Sequence, residues 1–105
     1  SGRILLQGII NAIASHGQSD FSEAEALGYD YASRGRRSGL NNLEAMHAFL
    51  FFRKALVDAL LIAFESAAIR NPKAWGDMFR IINTFTDHIL VKLMETYSIF
   101  QRGGL

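Results

Sequence analysis

The stretch from Asn41 to Arg70 contains thirty residues without a proline or a glycine, and it constrains the fold more than any other part of the chain. Its apolar residues recur at steps of three, four and seven, which places them along one side of an α-helix. A second apolar set covers an adjoining side. The two sets are Leu43, Met46, Leu50, Val57, Leu61, Phe64 and Ala68, and Phe49, Phe52, Leu56, Leu60, Ala63 and Ala67. This arc is wider than a surface helix needs, so we expect other helices or a second copy of the chain to cover it.

Three further segments have helical periodicity: residues 3–16, residues from Asp20 to Arg37, and residues from Lys73 to about Gln101. Gly17 is suited to the left-handed position after the first of these helices. No segment alternates as a strand would, and the intervening turns are only two to five residues long. The sequence therefore predicts an all-α fold, an antiparallel four-helix bundle.

Capping signals mark the ends of these helices. Ser22 and Glu25 have the spacing of a capping box for the second helix, with Asp20 as a competing cap. Asn41 and Glu44 have the same spacing at the start of the third helix. The pair Asn71-Pro72 is expected to end the third helix and open the fourth.

Length and composition exclude several classes of protein. A chain of 105 residues is expected to form one domain, residues 1–105, and Gly103-Gly104 indicates a linker to a longer protein. Eleven basic and ten acidic residues leave a net charge of +1, which gives no electrostatic basis for binding nucleic acid or an anionic membrane. No apolar run reaches the ~20 residues of a membrane span. The absence of cysteine excludes disulfides and thiol chemistry and is typical of a cytoplasmic protein.

Two short helices cannot fully cover two long, broadly apolar ones, so the sequence predicts that the remaining surface forms a homodimer interface. The first candidate is the aromatic-rich stripe of the fourth helix, because aromatic side chains are enriched in such interfaces. Its residues are Trp75, Met78, Ile82, Phe85, Ile89 and Leu93.

The chain contains no catalytic set, phosphate-binding loop or paired catalytic carboxylates, and we expect neither an enzyme nor a bound metal or cofactor. Glu44 and His47 have the Glu-x-x-His spacing of di-iron bundles, but a second such motif is missing. A phosphotransfer histidine, His88 or His47, is an alternative, although neither lies in a typical phosphotransfer motif. A third hypothesis is a ligand pocket inside the bundle, flanked by Phe49, Phe52, Phe79 or Phe85.

The basic residues from Arg34 to Arg37, with Arg53 and Lys54, could form a small patch. Solvated helix ends account for them better than nucleic-acid binding, which requires more positive charge.

The features between residues 28 and 65 follow a recognisable order. A helix that ends with tyrosine, alanine and arginine residues is followed by a glycine-leucine turn. The next helix has an acidic residue near its start and aromatic and basic residues near its middle. The residues are Tyr31, Ala32, Arg34, Gly39, Leu40, Glu44, Phe49, Phe52, Arg53 and Lys54, and the last helix closes on Glu95 and Tyr97. Over residues 20–100 this pattern resembles the RsbRD-type N-terminal regulatory domain of bacterial stress-signalling proteins, the RsbT co-antagonist family.

The resemblance implies a non-enzymatic, dimeric input domain that passes a signal to an output module of the same chain or to another signalling protein. It implies no ligand and no catalytic residue. Our leading hypothesis from the sequence is therefore a helical sensor domain that responds to a ligand or a partner. Phosphotransfer through His88 or His47 is the alternative.

Overall fold

The computed structural model describes residues 2–15, 21–65 and 70–103, which form four α-helices and no strand. These are α1 (Gly2–Ala14), α2 (Ser22–Arg37), α3 (Asn42–Ala63) and α4 (Pro72–Gly103). The all-α class is therefore confirmed. The expectations for Gly17 and Asp20 fall outside the described residues.

The two predicted capping boxes have different outcomes. At α3 the Asn41 side chain accepts a hydrogen bond from the Glu44 backbone N–H (2.8 Å), and the Glu44 carboxylate accepts one from the Asn41 N–H (2.9 Å). This box is confirmed. At α2 the N-cap is Phe21, whose side chain cannot accept a hydrogen bond, and Ser22 is already the first helical residue. The capping box of Ser22 and Glu25 is therefore wrong.

The third helix ends earlier than the periodicity predicts. It stops at Ala63 rather than Arg70, with Phe64 as its C-cap, and residues 66–69 lie outside the described part of the chain. The backbone of Phe64, with φ −119° and ψ +21°, leaves the α-helical region, and its N–H donates to the Leu60 carbonyl.

The closest pairing in the fold is between α2 and α4, which run parallel. Gly28 of α2 lies against Ile89 and Leu93 of α4, and Gly35, seven residues further along, lies against Tyr97. In contrast, α3 runs antiparallel to α4, because Arg53 meets Asp87 whereas Phe64, later in the chain, meets Trp75. Thus α2 and α4 form a central pair, and α1 and α3 pack on it.

Small residues permit this close approach. The buried face of α2 consists of Ala24, Leu27, Gly28, Ala32 and Gly35. A Cβ atom on Gly28 would lie 2.6 Å from the Ile89 carbonyl oxygen and 2.6 Å from the Lys92 Cβ, closer than real atoms come. Gly8 of α1 allows a similar approach, since a Cβ there would lie 2.6 Å from the Phe85 ring.

The apolar stripe of α4 is buried in the core of a single chain, so most of its residues are not available for the predicted dimer interface. Ile82, Phe85, Ile89 and Leu93 are all at most 3% exposed, because α1 and α2 pack over them. These four side chains have no surface left to offer a second copy in this arrangement. The other two residues of the predicted interface, Trp75 and Met78, are half-buried, and Trp75 packs edge-on against Phe79.

Candidate functional site

The turn between α2 and α3 is tightly specified. The Gly39 N–H donates to the Arg36 carbonyl and the Leu40 N–H to the Gly35 carbonyl, which is the Schellman pattern of a helix C-terminus. Gly39 has φ +81°, a left-handed conformation that favours glycine. The Tyr97 hydroxyl donates to the Leu40 carbonyl at 3.0 Å. This bond joins the turn to α4 and fixes where α3 begins.

Beside this turn lies a pocket of about 330 Å³, which we call the α2–α3 pocket. One wall is a face of α2, another is a face of α3, and Leu93 of α4 contributes from the core. Its lining residues are Tyr31, Arg34, Gly35, Ser38, Leu40, Ala45, Ala48, Phe49, Phe52 and Leu93. The spacing within α2 (31, 34, 35, 38) and within α3 (45, 48, 49, 52) is that of one helical face in each case.

The polar side chains that line the pocket come from α2 and its C-cap. Among the described residues of the lining, Arg34 is the single charged one, and its Nε is 3.0 Å from the Asp30 Oδ2. Burial, together with the neighbouring Asp30 carboxylate, raises the pKa of Tyr31 above its ordinary value. The α3 wall is apolar, with Phe49 tilted against the Tyr31 ring at a centroid distance of 6.1 Å.

The structure brings together two of the four aromatic residues predicted to flank a pocket. Phe49 and Phe52 line the α2–α3 pocket. Contrary to the prediction, Phe79 and Phe85 do not line it, because Phe79 packs on Trp75 at 5.0 Å and Phe85 lies in the core on Gly8. Sequence reasoning missed Tyr31, Arg34 and Ser38 as lining residues. Their three- and four-residue spacing was visible, but the direction of that face depends on how α2 packs.

A second unusual surface lies on α3. Only Ala45 and Phe49 of this helix are buried, whereas six larger apolar residues of the helix and its cap are at least 40% exposed. These are Leu43, Phe51, Phe52, Leu61, Ile62 and Phe64. Phe51 is 77% and Ile62 is 80% exposed. Phe51, Ile62 and the exposed Ala55 and Ala59 lie on one side of α3, and we call these four residues the pairing face.

The two candidate phosphotransfer histidines lie on different helices. His47 is exposed on α3. His88 is exposed on α4, but its ring stacks on Phe21 with a centroid distance of 3.6 Å and an interplanar angle of 10°. Thus one face of the His88 ring is covered by the residue that caps α2.

The basic side chains do not converge on one patch. Arg36 lies over the Phe100 ring at 4.7 Å, and Arg53 of α3 forms an ion pair of 2.6 Å with Asp87 of α4. Arg34 pairs with Asp30. These contacts agree with helix-end and interhelical roles for the arginines.

Within residues 2–15, 21–65 and 70–103, no three His, Cys, Asp or Glu side chains cluster in a way that could hold a metal ion. None of the helices in these ranges combines the length and the apolar character required to cross a membrane. No model of a known protein family matches the chain, and no curated protein or solved structure is significantly similar to it.

Proposed function

We propose that this chain is a non-catalytic helical interaction domain of a signalling protein, which pairs with a second copy of itself through α3. The observation that carries the proposal is the exposure of Phe51 and Ile62 on the pairing face of a long helix. A helix that is apolar nearly all round is normally buried. Beyond its first turn and Arg53, the polar residues of α3 are only His47, Lys54 and Asp58.

The exposure of the pairing face supports a protein partner. Phe51 is 77% and Ile62 is 80% exposed, and a whole aromatic side chain offers about 150–250 Å² of apolar area, so Phe51 alone presents more than about 100 Å² to solvent. Contiguous apolar surface that is not covered within one chain is typical of interaction sites. A standard interface buries about 800 Å² on each partner, so the pairing face would form the apolar centre of such an interface and neighbouring residues its rim.

The arrangement of charge favours a second copy as this partner. In a twofold-symmetric pair, residue i of one copy contacts residue j of the other, and j contacts i. If two α3 helices cross antiparallel with their centre near residues 56 and 57, Phe51 lies opposite Ile62 of the other copy. Lys54 then lies beside Asp58 of the other copy at the edge of the interface, and Ala55 and Ala59 permit close approach at its centre.

The signalling role is supported by the sequence resemblance to the RsbRD-type regulatory domains. A change in the pairing of α3, driven by a ligand or a partner, would be the signal passed to an output module. Two copies joined through α3 would complete an α-helical bundle that each copy leaves open on one side.

The experiment is to replace Phe51 with glutamate and to measure the molar mass by light scattering over a range of concentrations. We expect a dimer for the unmodified chain and at least about tenfold weaker dimerisation for Phe51→Glu, because a carboxylate would be buried in an apolar interface. The matched control is Val91→Glu, since Val91 is also exposed (56%) but lies on α4. A monomeric unmodified chain at high micromolar concentration, or equal weakening by both variants, would contradict the proposal.

A further inference from the structure

The α2–α3 pocket has the size and the lining of a small-molecule site, and its position does not depend on pairing between chains. Pockets for small ligands typically have apolar and aromatic walls with few polar groups that fix orientation. Here Phe49, Phe52 and Leu93 supply the apolar walls, and Arg34 and Tyr31 supply the polar groups.

From these residues we infer that the pocket binds a small monocarboxylate with an aromatic or alkyl body. The carboxylate would bind Arg34, and the apolar body would lie between Phe49 and Phe52. This assigns a ligand class to the pocket and goes beyond the proposed pairing through α3.

The charge of the ligand follows from the charge of the lining. Arg34 carries the one charge that the described lining residues supply, and a guanidinium has five N–H donors in a planar fork. The Asp30 contact joins one of its nitrogens, Nε, to a carboxylate oxygen. A second carboxylate can bind another edge of the same guanidinium, and bonds between charged groups are roughly twice as strong as neutral ones.

The remaining polar groups fit the same end of the ligand. The Tyr31 hydroxyl is a donor at neutral pH, as any tyrosine with a pKa of about 10 is, and burial with the Asp30 charge raises its pKa further. Ser38, the C-cap residue of α2 four positions after Arg34, adds a hydroxyl to the lining. In the part of the chain that the structure describes, no acidic residue lines the pocket, and the neighbouring Asp30 carboxylate lies outside the lining on the Nε side of Arg34.

The size and shape of the ligand's apolar body follow from the volume of the pocket and its lining residues. The volume of about 330 Å³ lies at the lower end of the range of small-ligand pockets, about 300–1,000 Å³, so the apolar body of the ligand must be small. Ala45 and Ala48 leave the space open, whereas a larger residue at either position would fill part of it. Phenylalanine rings pack well against flat or flexible apolar groups.

The test uses 4-phenylbutanoate and octanoate as ligands and 4-phenylbutanamide as the uncharged analogue, with binding measured by NMR titration of the labelled chain. We expect the carboxylates to bind and to shift the amide signals of residues around the pocket. The amide analogue should bind at least about tenfold more weakly, because the charge-assisted bond to Arg34 is lost. This comparison needs no protein variant, so it is independent of any effect on folding.

Two variants locate the site. Arg34→Gln should weaken carboxylate binding about tenfold, whereas Arg37→Gln, an exposed arginine of the same helix outside the pocket, should change it less than twofold. Ala48→Trp should abolish binding by filling the pocket, and Ala26→Trp, at an exposed position on α2, should leave it unchanged. Circular dichroism checks that each variant is folded.

Several outcomes would overturn the inference. These are no binding of either carboxylate at millimolar concentration, equal binding of carboxylate and amide, and full binding by Ala48→Trp. Repeating the titration on Phe51→Glu should give the same affinity, because every lining residue belongs to one chain. A loss of binding in that variant would contradict a site contained within a single chain.

Discussion

At the scale of single residues, the smallest side chains make the most constrained contacts. Gly28 lies directly on the backbone of α4, and Gly39 holds the left-handed position of the α2–α3 turn. The sequence predicted Gly39 correctly as part of a helix break, because glycine in this position is a local signal. It could not predict the contact of Gly28, because that depends on which helix packs there.

We expect Gly28→Ala to lower the free energy of unfolding by about 1–3 kcal/mol, the usual cost of forcing an extra group into a packed core. The new Cβ would meet backbone atoms of Ile89 and Leu93, which cannot move aside as a flexible side chain can. Urea denaturation followed by circular dichroism measures this difference.

Gly76→Ala is the matched control, because the nearest atoms to its new Cβ are the Arg80 Nη atoms at 3.8 and 3.9 Å. Alanine is the better helix former by about 1 kcal/mol, so this variant should be neutral or more stable. Similar losses of stability in both variants would show that the close approach at Gly28 is not what limits substitution there.

At the scale of the helices, α3 differs from the other long helix in how it is held. It is fixed at its start by the capping box of Asn41 and Glu44, and along its length by Phe49 and the ion pair of Arg53 with Asp87. Periodicity located α3 and its first residue correctly. Its end at Ala63 was not predictable, because no glycine or proline marks it and no local sequence signal announces that the Phe64 backbone departs from helical geometry.

We therefore expect amide hydrogens of α3 to exchange faster than those of α2 and of residues 82–97 in α4 when the chain is dilute. Local opening is easiest where few side chains are buried, and α3 buries only Ala45 and Phe49. Hydrogen–deuterium exchange with mass spectrometry measures this order.

Raising the concentration should slow exchange in α3 more than in α2, because pairing would cover the exposed side of the helix. In Phe51→Glu this dependence on concentration should disappear. Protection of α3 equal to that of α2 at the lowest concentration would contradict this prediction.

At the scale of the whole molecule, the chain is elongated, with extents of 52, 25 and 19 Å and a radius of gyration of 14.9 Å. A compact domain of this length would have a radius of gyration of about 13 Å. The length follows from α4, whose 32 residues extend about 48 Å at 1.5 Å per residue. The sequence correctly implied that its two shorter helices leave apolar surface uncovered. It misplaced that surface on α4, because periodicity alone does not decide which long helix lies between the others.

The proposed antiparallel pairing makes a specific prediction about charge. Lys54→Glu and Asp58→Lys should each weaken dimerisation by at least about twofold, because each homodimer would place like charges beside each other. Mixing the two single variants should restore pairing. In the mixed dimer the introduced glutamate of one chain lies beside the introduced lysine of the other, and the unchanged Asp58 of the first chain lies beside the unchanged Lys54 of the second.

Sedimentation equilibrium of each variant and of the mixture tests this prediction at low ionic strength, where surface charges are least screened. The mixture is the decisive sample, because changes within one helix cannot restore pairing between two different chains. If the mixture dimerises no better than its components, the antiparallel arrangement centred near residues 56 and 57 is wrong.

The near contact of α2 with α4 also decides where this chain tolerates redesign. The outward side of α3 has room for almost any side chain, so bulky or charged replacements there would alter association and spare the fold. The inner side of α2 has no such room, although most of its residues are alanine or glycine. In a library of random single replacements, functional survivors would retain Gly28 and Ala32 more strictly than many of the large phenylalanines.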